Sequence, residues 1–234
     1  GGGNGLLQFI LSQFGHKVVS VDFAPRTPPK GWKVIHINDG QNFQNDYIQH
    51  LKNNYESAHG VQAARTLSSP EELDSLLTGI HDEIIYYCSD ISKMRLLRDE
   101  IIDAVVSVSA IEHNTAEKAQ QAVDECWRVL KPGGILLITV SASLTQDWYH
   151  EPSKGWCFSE QTIKEIFRLG PDVQTNFTLA REIFEALKRP GNELHQRLAP
   201  FYFKSGNNGM PWGKWNPEYI PVGIMKSKPL RQEG

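Results

Sequence analysis

Three glycines at alternate positions, Gly1, Gly3 and Gly5, come before an apolar segment and then a strand-like run that ends in Asp22. Glycine has no Cβ, so a turn built from it lets a bound molecule approach the backbone closely. A carboxylate at the end of the next strand can accept hydrogen bonds from both hydroxyls of a ribose. This order of turn, helix, strand and carboxylate predicts a nucleoside-binding half of an α/β sheet.

The spacing of the glycines narrows the choice of ligand. A triphosphate loop needs a lysine directly after its last glycine, and none follows here. A dinucleotide loop needs a third glycine at its sixth position, where this chain has Leu6 counted from Gly1, or Gln8 counted from Gly3. The pattern therefore disfavours nucleoside triphosphates, NAD and FAD, and favours a smaller ligand without a pyrophosphate.

A second carboxylate follows another apolar run. Residues 84–90 are expected to form a strand that ends in the carboxylate of Asp90. Ligands of such sheets bind at the carboxyl ends of the strands, so Asp22 and Asp90 should lie at one edge, where Asp90 could accept a hydrogen bond from an adenine amino group. Either aspartate alone could instead be a cap or turn residue. Two of them behind a glycine turn favour a binding site.

Strands and helices alternate along the chain, which predicts an α/β fold with a doubly wound, mostly parallel sheet. The run Ser69-Pro70-Glu71-Glu72 is a helix start with a serine cap and a proline at the first position. The other expected elements are helices at 6–14, about 43–51, 92–100 (basic and polar), about 115–130 and from Ser159, and strands at 17–22, 34–37, 102–108 (buried on both faces), 135–140 and 219–225.

The composition excludes several kinds of partner. The 234 residues carry 24 basic and 27 acidic side chains, a net charge of −3, with a pI near 6.3, so no overall charge attracts nucleic acid or an anionic membrane. No apolar run reaches the roughly 18 residues that span a bilayer. The three cysteines form no C-x-x-C pair and are expected to be reduced thiols. We therefore expect a cytoplasmic protein without a nucleic-acid partner or a membrane span.

These residues together resemble the class I S-adenosylmethionine-dependent methyltransferases, and more narrowly the group that acts on small molecules and lipid-like acceptors. The most characteristic stretches are Ser109-Ala110-Ile111-Glu112-His113 and Trp127-Arg128-Val129-Leu130-Lys131-Pro132-Gly133-Gly134. The resemblance covers roughly residues 1–141. Its other matching stretches are residues 1–5, 21–22, 88–91 and 102–107.

The resemblance implies a Rossmann-like fold with an antiparallel last strand, and S-adenosyl-L-methionine as the cofactor. The glycines Gly1, Gly3 and Gly5 would approach the methionine part of the cofactor, and Asp22 would bind the ribose. The remaining implied contacts are Phe23 along the adenosine, Asp90 and Ile91 at the adenine, and Val108 and Ser109 near the methionine and the sulfonium.

The same pattern suggests how the chain is organised. We expect one domain over residues 1–234, with a helical insertion at about 38–81 and a variable acceptor-side region at about 142–217. A glycine turn of this kind normally follows a strand, so the first strand is expected to be missing from this chain. Aromatic residues of the variable region are expected either to line an apolar acceptor pocket or to hold long loops together.

One histidine is the main candidate for a catalytic base. Methyl transfer from a sulfonium depends mainly on alignment, but an oxygen or nitrogen acceptor can also need a base. His113 is the candidate because an imidazole accepts a proton near neutral pH; Glu112 and His113 could instead orient their loop. Tyr149 and His150 are secondary candidates. Some relatives bind a metal through a glutamate three residues before the Glu-His pair, and because Ser109 stands there we expect no metal.

The expected function is methyl transfer to an oxygen or nitrogen of a small-molecule or lipid-like acceptor. The alternative is a cofactor-binding domain without catalysis, or a part of a larger biosynthetic enzyme. A nicotinamide oxidoreductase is disfavoured by the glycine spacing and by the lack of a Tyr-x-x-x-Lys pair. Nucleic-acid methylation is disfavoured by the acidic balance and by the lack of an Asn/Asp-Pro-Pro-Tyr motif.

Overall fold

The computed structural model describes residues 5–23, 32–40, 62–81, 83–151, 153–173, 175, 177–193, 196–197 and 219–231. The chain divides into two compact units. Unit 1 comprises Gly1–Asp103, Glu125–Gly134 and Pro229–Gly234, and unit 2 comprises Ala104–Asp124 and Ile135–Lys228. Gly1, Gly3, the helix predicted near 43–51 and the aromatic residues at 201–215 lie outside the described residues.

Unit 1 contains a parallel sheet with the strand order β1-β4-β2-β3. Its strands are β1 (Val18–Asp22), β2 (Val34–Asn38), β3 (Gln62–Thr66) and β4 (Ile84–Cys88). The central strand β4 pairs with both β1 and β2, so that Cys88 lies beside Asp22 and beside Asn38. The predicted parallel sheet is confirmed here. The interval 38–81, expected to be helical, also contributes β3 to this sheet.

Helix α1 (Leu6–Gln13) packs on this sheet through a few of its apolar residues. Phe9 stacks on Trp32 with ring centroids 4.6 Å apart, and both lie against a buried cluster of Val18, Val34, Ile84 and Tyr86. Leu6 and Phe14 are 62% and 77% exposed. The predicted helix is therefore present, but the described residues cover only part of its apolar face.

Helix α2 (Pro70–Gly79) begins where the sequence predicts. The Ser69 hydroxyl accepts a hydrogen bond from the Glu72 backbone N–H at 3.4 Å, and the Glu72 carboxylate accepts one from the Ser68 N–H at 2.8 Å. One unpaired amide of the first turn is thus satisfied by the cap, and the Glu72 carboxylate fixes the residue that precedes the cap. Leu73 anchors the helix as a fully buried side chain.

The segment that follows β4 is not the helix that we predict over Ser92–Glu100. It consists of turns and bends. Its backbone forms short-range turn hydrogen bonds, such as Leu97 N–H to the Met94 carbonyl at 2.9 Å, and other backbone groups bond to side chains. The carbonyls of Met94 and Leu97 accept hydrogen bonds from the Arg128 guanidinium, and the Leu96 N–H donates to the Tyr87 hydroxyl. Arg128 lies at the end of helix α3 (Ala116–Val129), far along the chain from the segment it holds.

Most of the second sheet belongs to unit 2. It has the strand order β5-β6-β9 and is formed by β5 (Ile102–Val108), β6 (Leu130–Ala142) and β9 (Ile220–Ser227). Strand β9 runs antiparallel to β6, which confirms the predicted antiparallel last strand. This unit also contains most of α3, the hairpin of β7 (Trp148–His150) and β8 (Gly155–Cys157), and helices α4 (Glu160–Ile166) and α5 (Phe177–Lys188).

The prediction that β5 is buried on both faces is wrong. Val106 is 41% exposed and Val108 57% exposed. Strand β5 is the outer strand of its sheet, and the described residues leave these valines partly uncovered.

Across the described ranges no helix is both long and apolar enough to cross a bilayer. The elements together make an α/β fold with one parallel sheet and one sheet that contains an antiparallel strand, consistent with a Rossmann-like fold.

Candidate functional site

Three parallel strands of unit 1 end at one edge of their sheet, and their polar side chains converge there. Asp22 ends β1, Asn38 ends β2, and Ser89 follows β4. The Ser89 N–H donates to the Asp22 carbonyl at 3.1 Å. The structure therefore places Asp22 on the same edge as Ser89 and Asp90, as the sequence predicts. Phe23 follows Asp22 and is 60% exposed.

Sequence reasoning missed a third carboxylate at this edge, Asp39. Its Oδ2 accepts hydrogen bonds from the Tyr87 hydroxyl at 2.9 Å and from the Ser89 hydroxyl at 3.2 Å. The next residue, Gly40, has a φ of 72° and donates its N–H to the Asn38 side chain at 3.1 Å. The run Asn38-Asp39-Gly40 after an apolar strand is a turn signal that matches the positions of Asp22 and Asp90.

The carboxylates at this edge act on the thiol of Cys88. Burial, followed by the negative charges of Asp22 and Asp39, raises the pKa of Cys88 to about 11. The thiol therefore stays protonated at neutral pH, and its sulfur lies 3.5 Å from the Phe23 carbonyl. Both carboxylates thus lie near enough to Cys88 to affect its titration.

Asp90 forms a turn with its own side chain, which is one of the two roles that the sequence allows for it. One of its oxygens, Oδ1, accepts hydrogen bonds from the Ser92 N–H at 2.9 Å and from the Ser92 hydroxyl at 2.8 Å. This is an aspartate turn. The turn holds Asp90 at the exposed edge with Ile91 half-buried beside it, so their contact with an adenine stays a prediction.

Gly5 is the one glycine of the predicted turn that the structure describes. Its φ is 77°, and its carbonyl accepts the Phe9 N–H at 3.0 Å, which starts α1. A Cβ at this position would lie 2.7 Å from the Trp32 ring and 2.9 Å from the Tyr86 hydroxyl. Residue 5 therefore needs glycine for its backbone conformation and for the space around it.

Gly15 offers a matched control for Gly5. Its φ is 81°, but a Cβ there would meet nothing within 4 Å. We expect Gly15→Ala to lower the free energy of unfolding by about 1 kcal/mol, the cost of a left-handed alanine, and Gly5→Ala by about 2 kcal/mol because the clash adds to it. Urea denaturation measures both. Equal losses would show that Trp32 moves aside freely.

In unit 2, strand β5 ends in the predicted residues Val108 and Ser109. Ser109 is one of four non-glycine residues with a positive φ in the described part of the chain, at 47°. Its N–H lies 3.1 Å from both the carbonyl and the hydroxyl of Thr139 on β6. Residues held in this sparsely populated backbone region are concentrated at functional sites, so the conformation of Ser109 is consistent with a position in a binding site.

A short 3₁₀ turn, Ile111–His113, follows and buries Glu112. Its Oε1 accepts a hydrogen bond from the Ser141 hydroxyl at 3.2 Å, and no described residue lies within hydrogen-bond distance of its Oε2. Burial, opposed by hydrogen bonds and by the neighbouring His113, raises the pKa of the Glu112 carboxyl. The sequence alone suggests no role for Glu112 except as a partner of His113.

This raised pKa predicts a pH dependence of stability. When the pKa of a carboxyl is higher in the folded than in the unfolded state, the folded state binds more protons at pH values between the two. The wild type should therefore lose stability as the pH rises above about 4.5, the ordinary pKa of a glutamate carboxyl. Glu112→Gln keeps an acceptor for the Ser141 hydroxyl but does not titrate. Its stability relative to the wild type should therefore increase as the pH rises above about 4.5 and stay higher at neutral pH. Urea denaturation from pH 4 to 8 measures this, with the exposed Glu117→Gln as control. Wild-type and Glu112→Gln curves that stay parallel would contradict it.

His113, the predicted base, is exposed beside Glu112. Its Nδ1 lies 3.0 Å from the Lys154 carbonyl. A carbonyl can only accept, so Nδ1 carries the proton in the neutral ring and the lone pair is left on Nε2. The ring is thus oriented as a base with Nε2 as its acceptor atom.

The secondary candidates around His150 belong to the packing of the hairpin. His150 is 3% exposed and lies between the rings of Trp148 and Tyr219, with centroids 5.4 and 5.1 Å away. Its Nδ1 lies 2.7 Å from the Ser153 hydroxyl, which also donates to the His150 carbonyl. Tyr149 packs edge-on against Trp156.

Comparison with known proteins adds a family. Residues 53–138 match the family described as "Methyltransferase domain". A tRNA (carboxymethyluridine(34)-5-O)-methyltransferase of Arabidopsis thaliana is 35% identical over 77 residues, which cover 29% of this chain and 19% of that protein. The chain therefore spans about a fifth of the length of this curated relative.

Solved structures give remote matches. A Haemonchus contortus phosphoethanolamine N-methyltransferase 2, solved with phosphomonomethylethanolamine and S-adenosylhomocysteine, is 16% identical with a TM-score of 0.38, over 98% of this chain and 54% of that one. A Burkholderia thailandensis 1,6-didemethyltoxoflavin-N1-methyltransferase is 18% identical with a TM-score of 0.32, over 59% of this chain and 60% of that one.

Proposed function

Since this chain contains a class I S-adenosylmethionine-dependent methyltransferase domain, we propose that it transfers a methyl group from S-adenosyl-L-methionine to an oxygen or nitrogen of a small-molecule or lipid-like acceptor. The observation that carries this proposal is the family match over residues 53–138. The convergence of Asp22, Asp39 and Asp90 at the carboxyl edge of a parallel sheet supports it, because ligands of such sheets bind there.

Each part of the proposed cofactor site has its own residues. In unit 1, Gly1, Gly3 and Gly5 leave room for the methionine part, Asp22 binds the ribose hydroxyls, and Phe23, Asp90 and Ile91 contact the adenosine. In unit 2, Val108 and Ser109 contact the methionine and the sulfonium. The two oxygens of Asp22 suit a diol, since a carboxylate accepts two hydrogen bonds from neighbouring hydroxyls. These roles are proposals, supported for the described residues by their positions at the strand ends.

The chemistry asks little of the protein beyond alignment. When bound, the cofactor supplies a methyl group already activated on a sulfonium. The chain's residues hold the acceptor in line and exclude water, and His113 takes the proton that the acceptor atom releases. Its Nδ1 is fixed by the Lys154 carbonyl, so Nε2 is the atom that receives that proton.

Two other functions compete with this one. A domain that binds the cofactor without catalysis, or serves inside a larger biosynthetic enzyme, would have the same strand edge. A tRNA acceptor is favoured by the partial identity to a tRNA methyltransferase and opposed by the net charge of −3, since tRNA binding relies on basic surface.

Calorimetry followed by turnover separates these functions. S-adenosylmethionine, S-adenosylhomocysteine and NAD are titrated into the full chain, and a tritiated methyl donor is then offered with a panel of small acceptors and with tRNA. Micromolar binding of the two sulfur compounds but not NAD, with label in a small acceptor that falls in His113→Ala, would support the proposal. Binding without turnover would favour the non-catalytic domain, and label only in tRNA the nucleic-acid function.

A further inference from the structure

A cavity of about 950 Å³ lies within unit 2, beyond the carboxyl end of β6. Its walls come from the segment after β6, from α4 and the residues that follow it, and from the start of α5. This volume suits a small organic ligand. The Ser141 hydroxyl donates to Glu112, the neighbour of His113, and Ser141 lies two residues before Ser143 on the cavity wall. The end of β6 thus connects the cavity wall to the turn that carries the proposed base.

Three basic and two acidic side chains line the cavity, and four of the five are engaged. Lys164 pairs with Glu160 at 3.5 Å and donates to the Pro171 carbonyl at 3.2 Å. Arg168 pairs with Asp124 at 2.5 Å. Glu165 accepts a hydrogen bond from the Gln161 amide at 3.0 Å.

The fifth charged side chain, Arg181 on α5, is different. Its guanidinium makes one long hydrogen bond, 3.4 Å, to the Leu144 carbonyl. Among the described residues no carboxylate lies within 4.0 Å of it. Arg181 is exposed, and a guanidinium has five N–H donors in a planar fork, so most of its hydrogen-bonding capacity is left for a ligand.

The surroundings of Arg181 complete a site for an anion attached to an apolar body. The guanidinium reaches the Leu144 carbonyl. The residues on either side of Leu144, Ser143 and Thr145, also line the cavity, and Leu169 and Phe177 add apolar walls. Arginine binds a carboxylate or a phosphate through two parallel hydrogen bonds, an arrangement that a neutral amide or alcohol cannot match. The ion pairs of Lys164 and Arg168 leave Arg181 as the residue that sets the preference.

We propose that this cavity binds the methyl acceptor by an anionic group, a carboxylate or a phosphate, and that Arg181 determines this specificity. The inference rests on the function proposed above, because it names the acceptor class of the same enzyme. It also makes a claim about binding that can be measured without turnover.

The test uses four probes with the ¹⁵N-labelled full chain: benzoate and phenyl phosphate, with benzamide and benzyl alcohol as their neutral counterparts. We expect at least one anion to shift the amide signals of residues 143–145 and the Arg181 Nε–H signal, with a Kd at least tenfold lower than its neutral counterpart. Comparison of benzoate with phenyl phosphate identifies the anion. Neutral probes that bind as tightly as both anions would overturn the inference.

Two arginine variants sharpen the test. Arg181→Met keeps the length of the side chain and removes its charge, and should raise the Kd of the preferred anion at least tenfold while leaving that of the neutral probe unchanged. Arg189→Met, an exposed position outside the cavity lining, should change neither. Unchanged anion affinity in Arg181→Met would overturn the inference, and unshifted signals elsewhere in its spectrum would confirm that it folds.

Titration of S-adenosylhomocysteine into the same samples separates the two proposals. Cofactor binding without anion binding would overturn the anionic-acceptor inference and leave the methyltransferase function intact. Anion binding that depends on Arg181, without cofactor binding, would overturn the methyltransferase function and with it the assignment of the anion as an acceptor.

Discussion

Replacing Asp22 with alanine is expected to weaken S-adenosylhomocysteine binding about 100-fold. The proposed contact is a pair of hydrogen bonds from the ribose hydroxyls to one carboxylate, and hydrogen bonds to charged groups contribute about 1.5–3 kcal/mol each. The loss of both corresponds to about 3 kcal/mol, or roughly two factors of ten in Kd. Calorimetric titration of the wild type and the variant measures this change.

Three other aspartates make this prediction specific. Asp90→Ala should cost about tenfold, because Oδ1 of Asp90 already accepts two hydrogen bonds from Ser92 and one remaining contact to the carboxylate contributes about 1.5 kcal/mol. Asp103→Ala, at an exposed residue paired with Lys131, should leave the Kd unchanged. If Asp22→Ala binds like the wild type while Asp39→Ala does not, Asp39 holds the ribose instead.

Replacing Arg128 with alanine is expected to lower the free energy of unfolding by about 3 kcal/mol. This is the lower end of the range for removing one partner of a buried ion pair, because the Arg128 and Glu125 side chains are only partly buried, at 31% and 14% exposed. Its guanidinium forms two 2.7 Å hydrogen bonds with the Glu125 carboxylate and one of 2.6 Å with Asp99. It also donates to the carbonyls of Leu97 at 2.8 Å and Met94 at 3.3 Å. The variant leaves these carbonyls and the Glu125 carboxylate without their cation.

Arg98 is the matched control for Arg128. It also pairs with two carboxylates, Glu71 at 2.6 Å and Asp74 at 3.2 Å, but its side chain is 46% exposed and that of Glu71 is 69% exposed. Exposed ion pairs contribute about 0–1 kcal/mol, so Arg98→Ala should cost less than 1 kcal/mol. Urea midpoints at equal slope give both values. Similar losses in the two variants would contradict the special role of Arg128.

The Arg128 contacts also explain why one element could not be predicted. The run Ser92–Glu100 has helix-compatible residues, but its Met94 and Leu97 carbonyls bond to a guanidinium about 30 residues away in the chain. Local spacing carries no information about such a partner. Helix α2 was predictable because its cap, Ser69, and the residue it binds, Glu72, lie within one turn.

In the candidate site, too, some residues could be predicted from the sequence and others could not. Asp22 and Asp90 follow strands with strong apolar runs, so their meeting at one edge follows from the parallel pairing of β1 and β4. Asp39 was missed because Tyr87, whose hydroxyl donates a hydrogen bond to it, stands 48 residues later. Strand β3 was missed because Gln62-Ala63-Ala64-Arg65-Thr66 lacks the apolar character of a buried strand. The orientation of His113 depends on a carbonyl 41 residues away.

The state of the cysteines has a practical consequence. Cys88, Cys126 and Cys157 are all buried and form no disulfide, and burial raises the pKa values of Cys88 and Cys126 to about 11 and about 12. Only the thiolate reacts with maleimides and iodoacetamides, so the native chain should be nearly silent to these reagents while folded. A single cysteine introduced on an exposed helix could then carry a fluorophore or spin label without first removing the natural thiols. One label in each unit would make the distance between the units a spectroscopic observable, with and without S-adenosylhomocysteine.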